Sequence, residues 1–240
     1  MEIDRAHDPS SPQPGDDSVE QLKRIAAQAA AALVEDGMTV GLGTGSTVVH
    51  LLPALAQRGL SGLRCVATSA ATEHQALALG LPILSLDDVN GRLDIAIDGA
   101  DQVSPEGWLI KGGGGAHTRE KIVAAAASRF VVIVSAEKLV ERLHPPVPLE
   151  LLCFGLSASM RALDPTRLRD VPPSPDGNLI ADYLGPIEDP HSLAALLSGT
   201  PGVVEHGLFA PQMVSEVLVG EPEGVRRLPG AKRTPKDLQD

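Results

Sequence analysis

Four consecutive glycines, Gly112–Gly115, stand between an apolar run ending in Lys111 and the start of a helical pattern. Such a run is costly to order, because glycine loses more backbone freedom on folding than any other residue. It belongs where backbone approaches a partner closely. The stretch around it, Leu93 to Lys121, reads LDIAIDGADQVSPEGWLIKGGGGAHTREK and concentrates the chain's unusual residues.

The stretch opens with an apolar segment, Leu93–Ile97, short and Ile-rich enough for a buried strand, which delivers Asp98 into a loop. Asp98 and Asp101 then flank the small residues Gly99 and Ala100. After a Ser104-Pro105-Glu106-Gly107 turn, a second apolar run, Trp108–Ile110, presents Lys111 directly before the glycines. Thr118-Arg119-Glu120-Lys121 opens a helical pattern that continues through IVAAAASRF, Ile122–Phe130, and the dipole at its start favours the Glu120 carboxylate. Singly, these read as turn residues, a solvated lysine and a helix-start glutamate. Two carboxylates, a lysine and a glutamate converging on the same loops read as a site.

The remainder of the 240-residue chain is long enough for a substantial core. Aromatics are only 2% of residues and the net charge is −11, with no basic patch. Bulk binding to nucleic acid or an anionic membrane is therefore disfavoured, and an anionic ligand would need a local positive pocket. Cys65 and Cys153 form no CxxC pair, which points away from a disulfide framework or cysteine zinc site and toward a reducing, cytoplasmic compartment. No signal peptide or run of membrane-spanning length is evident.

Along the chain, residues 1–17 are rich in Pro, Ser and Asp and are expected to form a disordered arm. A helix is expected from an N-cap at Ser18 to Gly37. A strand at Met38–Leu42, the turn Gly43-Thr44-Gly45-Ser46-Thr47 and a helix at Val48–Gln57 follow. Strand, glycine-rich turn and helix aim backbone N–H groups at an anion. Ser46 stands where a Walker loop needs Lys and breaks the dinucleotide G-x-G-x-x-G pattern. The hydroxyls of Thr44, Ser46 and Thr47 instead suit one phosphate. Further strands are expected at Leu63–Ala67, Pro82–Leu86 and Phe130–Val134, with a helix at Thr72–Leu79. The alternation predicts an α/β fold, a mainly parallel, Rossmann-like sheet flanked by helices, with ligands beyond the strands' carboxyl ends.

The prolines of His144–Pro148 mark a boundary to a second, smaller α/β domain. It is expected to hold strands at Leu149–Phe154, Asn178–Tyr183 and near Val203, and helices at Ala158–Leu163 and Ser192–Leu197. The expected division is a catalytic domain of residues 18–147 plus about 217–228, the small domain of residues 148–216, and a solvated tail of residues 229–240.

These pieces together resemble the type A ribose-5-phosphate isomerases. The matching segments are GLGTGST at Gly41–Thr47, TSAATEHQA at Thr68–Ala76, IDGADQV at Ile97–Val103 and LIKGGGGAHTREKIVA at Leu109–Ala124. They continue through Lys138 in VSAEKLV, the PVPLEL segment, DGNLI at Asp176–Ile180 and PGVVEHGLF at Pro201–Phe209. No single motif would suffice, but their order and spacing across residues 19–228 make the match specific.

The resemblance implies reversible isomerisation of ribose 5-phosphate to ribulose 5-phosphate in the non-oxidative pentose phosphate pathway, with no metal or organic cofactor. It implies a homodimer or homotetramer whose partner is a small sugar phosphate. Family roles fall on Glu120 as the base, with Asp98, Asp101 and Lys111 as the other catalytic residues around the sugar. Substrate-binding roles fall on Thr44, Gly45, Ser46 and Thr47, on Gly99 and Ala100, on Gly112, Gly113 and Gly114, and on Lys138. Lys23, in QLKR, is carried over as a phosphate-contacting lysine. These residue types suit the chemistry: one base must move a proton between C2 and C1, and a lysine or protonated acid can stabilise the enediolate.

Two positions depart from the family pattern. Gln102 replaces an acid, and His117 replaces an apolar residue and is expected to be satisfied or solvent-exposed. Two other classes compete. A sugar-phosphate-sensing module would have lost the base, and an acyl-CoA transferase would use a nucleophilic glutamate with an adenine-nucleotide site.

Overall fold

A computed structural model describes residues 16–230 of the chain. Most of the expected disordered arm and the end of the expected tail lie outside the described residues. In chain order the elements are α1 (Asp16–Ala31), β1 (Thr39–Leu42), α2 (Val48–Ala56), β2 (Arg64–Ala67), α3 (Ala70–Ala78) and β3 (Leu93–Asp98). They continue with β4 (Gln102–Val103), β5 (Leu109–Ile110), α4 (His117–Ala126), β6 (Ala127–Ser135), β7 (Val147–Leu151), α5 (Leu156–Ala162) and β8 (Thr166–Leu168). Then come β9 (Leu179–Tyr183), α6 (Pro190–Gly199), β10 (Val203–His206), β11 (Leu208–Phe209), β12 (Glu216–Glu221) and β13 (Gly224–Pro229).

The large sheet runs β13-β12-β6-β3-β1-β2 and is parallel except for the edge hairpin partner β13. Its core follows from the period-two alternation of strand side chains. Ile95, Ile97, Val131, Ile133 and Leu218 pack on one face with Ala26, Ala27 and Ala30 of α1 and Leu51 and Leu52 of α2. Leu93, Ala96, Phe130, Val132 and Val219 pack on the other face with Val123 and Ala124 of α4. Truncating a fully buried residue such as Ile97 to Ala would cost ~2–5 kcal/mol.

Consecutive strands leave β1 in opposite directions: β2 pairs on one side of it and β3 on the other. Loops at that reversal splay apart beyond the strand ends and leave a crevice. The loop after β1 and the loop after β3 therefore face each other.

Two smaller sheets complete the fold. The four-stranded sheet β10-β7-β9-β8 is antiparallel and packs α5 and α6 around Leu149, Leu151, Leu193 and Leu197. A three-stranded sheet, β11-β5-β4, is built on the hairpin that the Ser104–Gly107 turn closes, with Gly107 N donating to Ser104 O at 3.0 Å.

Several expectations are corrected. The first helix starts at Asp16, so Ser18 lies inside it, and the helix ends at Ala31 rather than at Gly37. Pro82–Leu86 contributes one bridge, Ile83 to Cys65, rather than a strand. Ala127, Ser128 and Arg129 continue β6 instead of α4, because pairing with Leu93 and Ile95 of β3 overrides the helical propensity of the alanine run. Pro148 lies inside β7, near its start, where a missing N–H is tolerated. β13 (Gly224–Pro229) carries the sheet one residue into the expected tail, and neither it nor β8 had a counterpart in the sequence reading.

Candidate active site

β3 ends in Asp98, which is 3% exposed. Its Oδ1 accepts from the backbone N–H groups of Thr44 at 3.1 Å and Gly99 at 2.7 Å. This close approach requires Gly43: a Cβ there would lie 1.9 Å from the Asp98 carboxyl carbon.

Lys111, the residue that follows β5, is 2% exposed. Its Nζ donates to Gly99 O at 2.5 Å and lies 2.9 Å from Asp98 Oδ2 and 3.2 Å from Glu120 Oε2. Glu120, in the first turn of α4, is 4% exposed. A buried carboxylate–ammonium–carboxylate triad thus joins three elements.

Its electrostatics are dominated by burial. Desolvation, and then the neighbouring Asp98 charge, raise the Glu120 pKa to about 8, against the opposing pull of Lys111. Desolvation also raises Asp98, opposed by Lys111 and by the two backbone N–H groups. For Lys111, burial pushes the ammonium's pKa down, but Asp98 and Glu120 more than reverse this and it is raised, so it stays charged. Burial thus pushes both carboxyls toward the protonated form, with Lys111 pulling the other way. The amide donors on Asp98 favour its ionised form and oppose the rise there.

The triad borders a cavity of about 200 Å³ lined by Thr44, Gly45, Ser46, Thr47, Gly99, Ala100, Asp101, Lys111, Gly112, Gly113, Gly114, Glu120 and Lys138. All but two of the expected site residues line it. Asp98 lies directly beneath, against Lys111. Lys23 is not brought in: it lies on α1 with its ammonium 2.6 Å from Glu20, which also meets His50.

Within the lining, Asp101 Oδ2 accepts from Gly113 N at 2.8 Å. Lys138 closes a single turn after β6, and among the described residues it has no carboxylate within ion-pair distance. The turn after β1 divides its labour differently from the sequence reading. Thr44 Oγ1 donates to Ser69 Oγ at 2.8 Å and lies 2.7 Å from Thr68 Oγ1, while its N–H is held by Asp98. Thr44 is therefore occupied with neighbours, leaving Ser46 and Thr47 as the hydroxyls at the start of α2.

Sequence reasoning missed the supports. Glu150 of β7, 1% exposed, accepts from Thr118 Oγ1, Ser174 Oγ and Asn178 Nδ2. Arg169 pairs with Asp182 and reaches the glycine loop. A lone carboxylate inside an apolar strand, as in PVPLELL and LIADY, was the available signal. Gln102 pins His144, donating to its carbonyl at 2.8 Å and accepting from its N–H at 2.9 Å. His117 is not exposed. It is fully buried, neither ring nitrogen has a well-aligned partner among the described residues, and burial lowers its pKa to about 4, so the ring is neutral.

Among the described residues no group of three or more His, Cys, Asp or Glu side chains is arranged to hold a metal ion. Cys65 is buried and Cys153 exposed, both as free thiols.

Fold and site together define a Rossmann-like α/β protein with an acid–base pocket at the sheet's reversal point. Residues 64–224 match the family model described as ribose 5-phosphate isomerase A (phosphoriboisomerase A). A ribose-5-phosphate isomerase A of Caulobacter vibrioides is 47% identical over 226 residues, covering 88% of this chain and 99% of the relative. The solved structure of ribose 5-phosphate isomerase A from Methanocaldococcus jannaschii is 37% identical with a TM-score of 0.82, covering 88% of this chain and 99% of that one. A D-ribose-5-phosphate isomerase solved in complex with phospho-erythronic acid is 39% identical with a TM-score of 0.82, over 88% and 99% of the two chains. This chain belongs to the ribose 5-phosphate isomerase A family.

Proposed function

We propose that the chain interconverts ribose 5-phosphate and ribulose 5-phosphate through an enediolate, with Glu120 as the base, as a step of the non-oxidative pentose phosphate pathway. The observation that carries the reading is Glu120 itself: a carboxyl facing the cavity, buried, with its pKa raised to about 8 beside a buried ammonium. A base that takes a proton from C2 and returns it at C1 works best with a pKa near the operating pH.

Lys111 supplies a fixed positive charge for the oxygens on which negative charge develops, and it needs no reorganisation because Asp98 and Gly99 already hold it. Asp101, exposed at the cavity edge, is available for the acid–base work of ring opening. The phosphate lies at the start of α2 against Gly45, Ser46 and Thr47, with Lys138 as a countercharge. Gly99, Ala100, Gly112, Gly113 and Gly114 form low walls around the sugar. The relative that binds phospho-erythronic acid supports the chemistry, since a planar carboxylate on a phosphorylated chain has the shape and charge of an enediolate. The presence of the base argues against a purely sensing module.

A homodimer or homotetramer in the cytoplasm completes the reading; light scattering on purified protein tests the assembly. No helix among the described residues is long and apolar enough to cross a membrane. The direct test is conversion of ribose 5-phosphate by the purified wild type in EDTA beside Glu120→Gln. Activity that collapses in a variant still able to bind substrate is expected. A folded wild type that binds the sugar phosphate without converting it would sink the proposal.

A further inference from the structure

The small antiparallel sheet touches the catalytic segment at several points. Glu150 accepts from Thr118 Oγ1, Asp176 receives the Arg119 guanidinium at 2.7 Å, and Glu205 holds Lys121 at 2.7 Å. A fourth link, through Arg169, has a geometry these three lack. Arg169 extends β8, its N–H bonded to Ile180 O at 2.9 Å, and lies outside the cavity lining. Its Nε reaches both carboxylate oxygens of Asp182 at 3.0 Å and its Nη2 reaches Oδ1 at 2.6 Å. The remaining arm, Nη1, donates to Gly112 O and to Gly113 O, each at 3.0 Å.

The carbonyl of Gly112 and the N–H of Gly113 belong to the same peptide group. That N–H is the one bonded to Asp101 Oδ2. A line of charge and dipole therefore runs from the buried Asp182, through Arg169 and a single peptide plane, to Asp101 in the cavity. The peptide carries Gly112 at φ +104°, in the positive-φ region where glycine neighbours leave the plane easy to rotate. A guanidinium on the carbonyl resists that rotation, and it also polarises the peptide and strengthens the N–H donor at the other end.

We infer that Arg169, clamped by Asp182, is a positioning residue for the isomerisation: by fixing the Gly112–Gly113 peptide it holds the Asp101 carboxylate in its working orientation. The inference rests on the isomerase reading and adds a residue that never meets the substrate. Lysine cannot replace it fully, since an ammonium lacks the guanidinium's fixed fork, which grips a carboxylate with one edge and the two carbonyls with the remaining arm. The competing account is that Arg169 is only cement between the sheets. Arg119 supplies the control, because it makes a comparable guanidinium–carboxylate bridge to Asp176 but grips no glycine carbonyl.

The experiment measures kcat, KM and Tm for wild type, Arg169→Ala, Arg169→Lys, Arg119→Ala, Asp101→Asn and the double variant Arg169→Ala/Asp101→Asn. Wild-type turnover is established first, and its absence would defeat the isomerase reading rather than this one. The expected result is a kcat for Arg169→Ala roughly tenfold to hundredfold below wild type with KM little changed, as for a misplaced catalytic group. Arg169→Lys should recover part of the loss and serves as the probe if the alanine variant does not fold. Arg119→Ala should lose Tm without losing kcat. The decisive comparison is the double variant, which should be no slower than Asp101→Asn alone, because both changes break one path. Losses that multiply, or an Arg169 variant that is folded and fully active, would overturn the inference.

Discussion

At the α2 end of the cavity Gly45 and Ser46 are exposed, and Lys138 has no carboxylate partner among the described residues. At the α4 end Asp98, Lys111 and Glu120 are each no more than 4% exposed, and both carboxyls lie within 3.2 Å of the Lys111 ammonium. The first end is solvated and keeps its groups free for an incoming anion. The second has already displaced its water, and the Lys111 ammonium grips two carboxyls whose burial disfavours their charged form. Binding needs groups that exchange water for ligand at little cost, whereas proton transfer needs groups whose ionisation the protein has already shifted. Thr44 sits on the dividing line: it lines the cavity, yet its hydroxyl and its N–H both serve the scaffold.

The comparison can be broken by variants that confuse the two ends. The largest effect belongs to Glu120→Gln, which removes the base from a site that is otherwise assembled. Its kcat should fall by at least roughly 10²–10⁴-fold, with retained affinity for ribose 5-phosphate in a binding titration. Lys138→Ala should do the reverse. Losing a charge-assisted contact worth ~1.5–3 kcal/mol should raise KM about tenfold to hundredfold while kcat stays within about threefold. A dominant kcat loss there would mean that Lys138 belongs with the reacting end.

The pH dependence sharpens the contrast. Glu120 must be ionised to act as base, and burial and the Asp98 charge have raised its pKa to about 8. Accordingly kcat/KM should rise with pH up to about 8, falling about tenfold for each unit below, because this ratio reports the free enzyme. Asp98→Asn removes one of the causes of the rise, so the midpoint should move to lower pH; an unmoved midpoint would detach the two carboxyls. The smallest effect is expected for Thr44→Val. Losing the hydroxyl bonds to Ser69 and Thr68 should cost about 1 kcal/mol and lower Tm by about 2–4 °C, with KM little changed. A large rise in KM would move Thr44 to the binding end.

Much of this was legible in the chain because it is local. Asp98 falls at the end of an apolar strand, and Thr44–Thr47 follow another, so both had to emerge on the same side of a parallel sheet. Glu120 fell in the first turn of a helix because the glycine run ends just before it. The alanine run at the end of α4 misled for the opposite reason. Its local preference is helical, and only the ladder with β3 made Ala127–Arg129 a strand. Arg169 and Asp182 were invisible as a pair, since nothing in a solvated-looking RLRD segment announces a bond to carbonyls 56 and 57 residues away.

The sequence by itself determined the alternation of strands and helices, the sheet's direction, and the list of groups that gather at the strand ends. Periodicity and turn chemistry are properties of neighbours along the chain. Burial is not, and burial decided the rest. It raised Glu120 and Asp98 together, turned His117 into a neutral core residue, and set Arg169 behind the glycine loop. Those outcomes depend on what distant segments exclude from water, and only the tertiary structure brings those segments together.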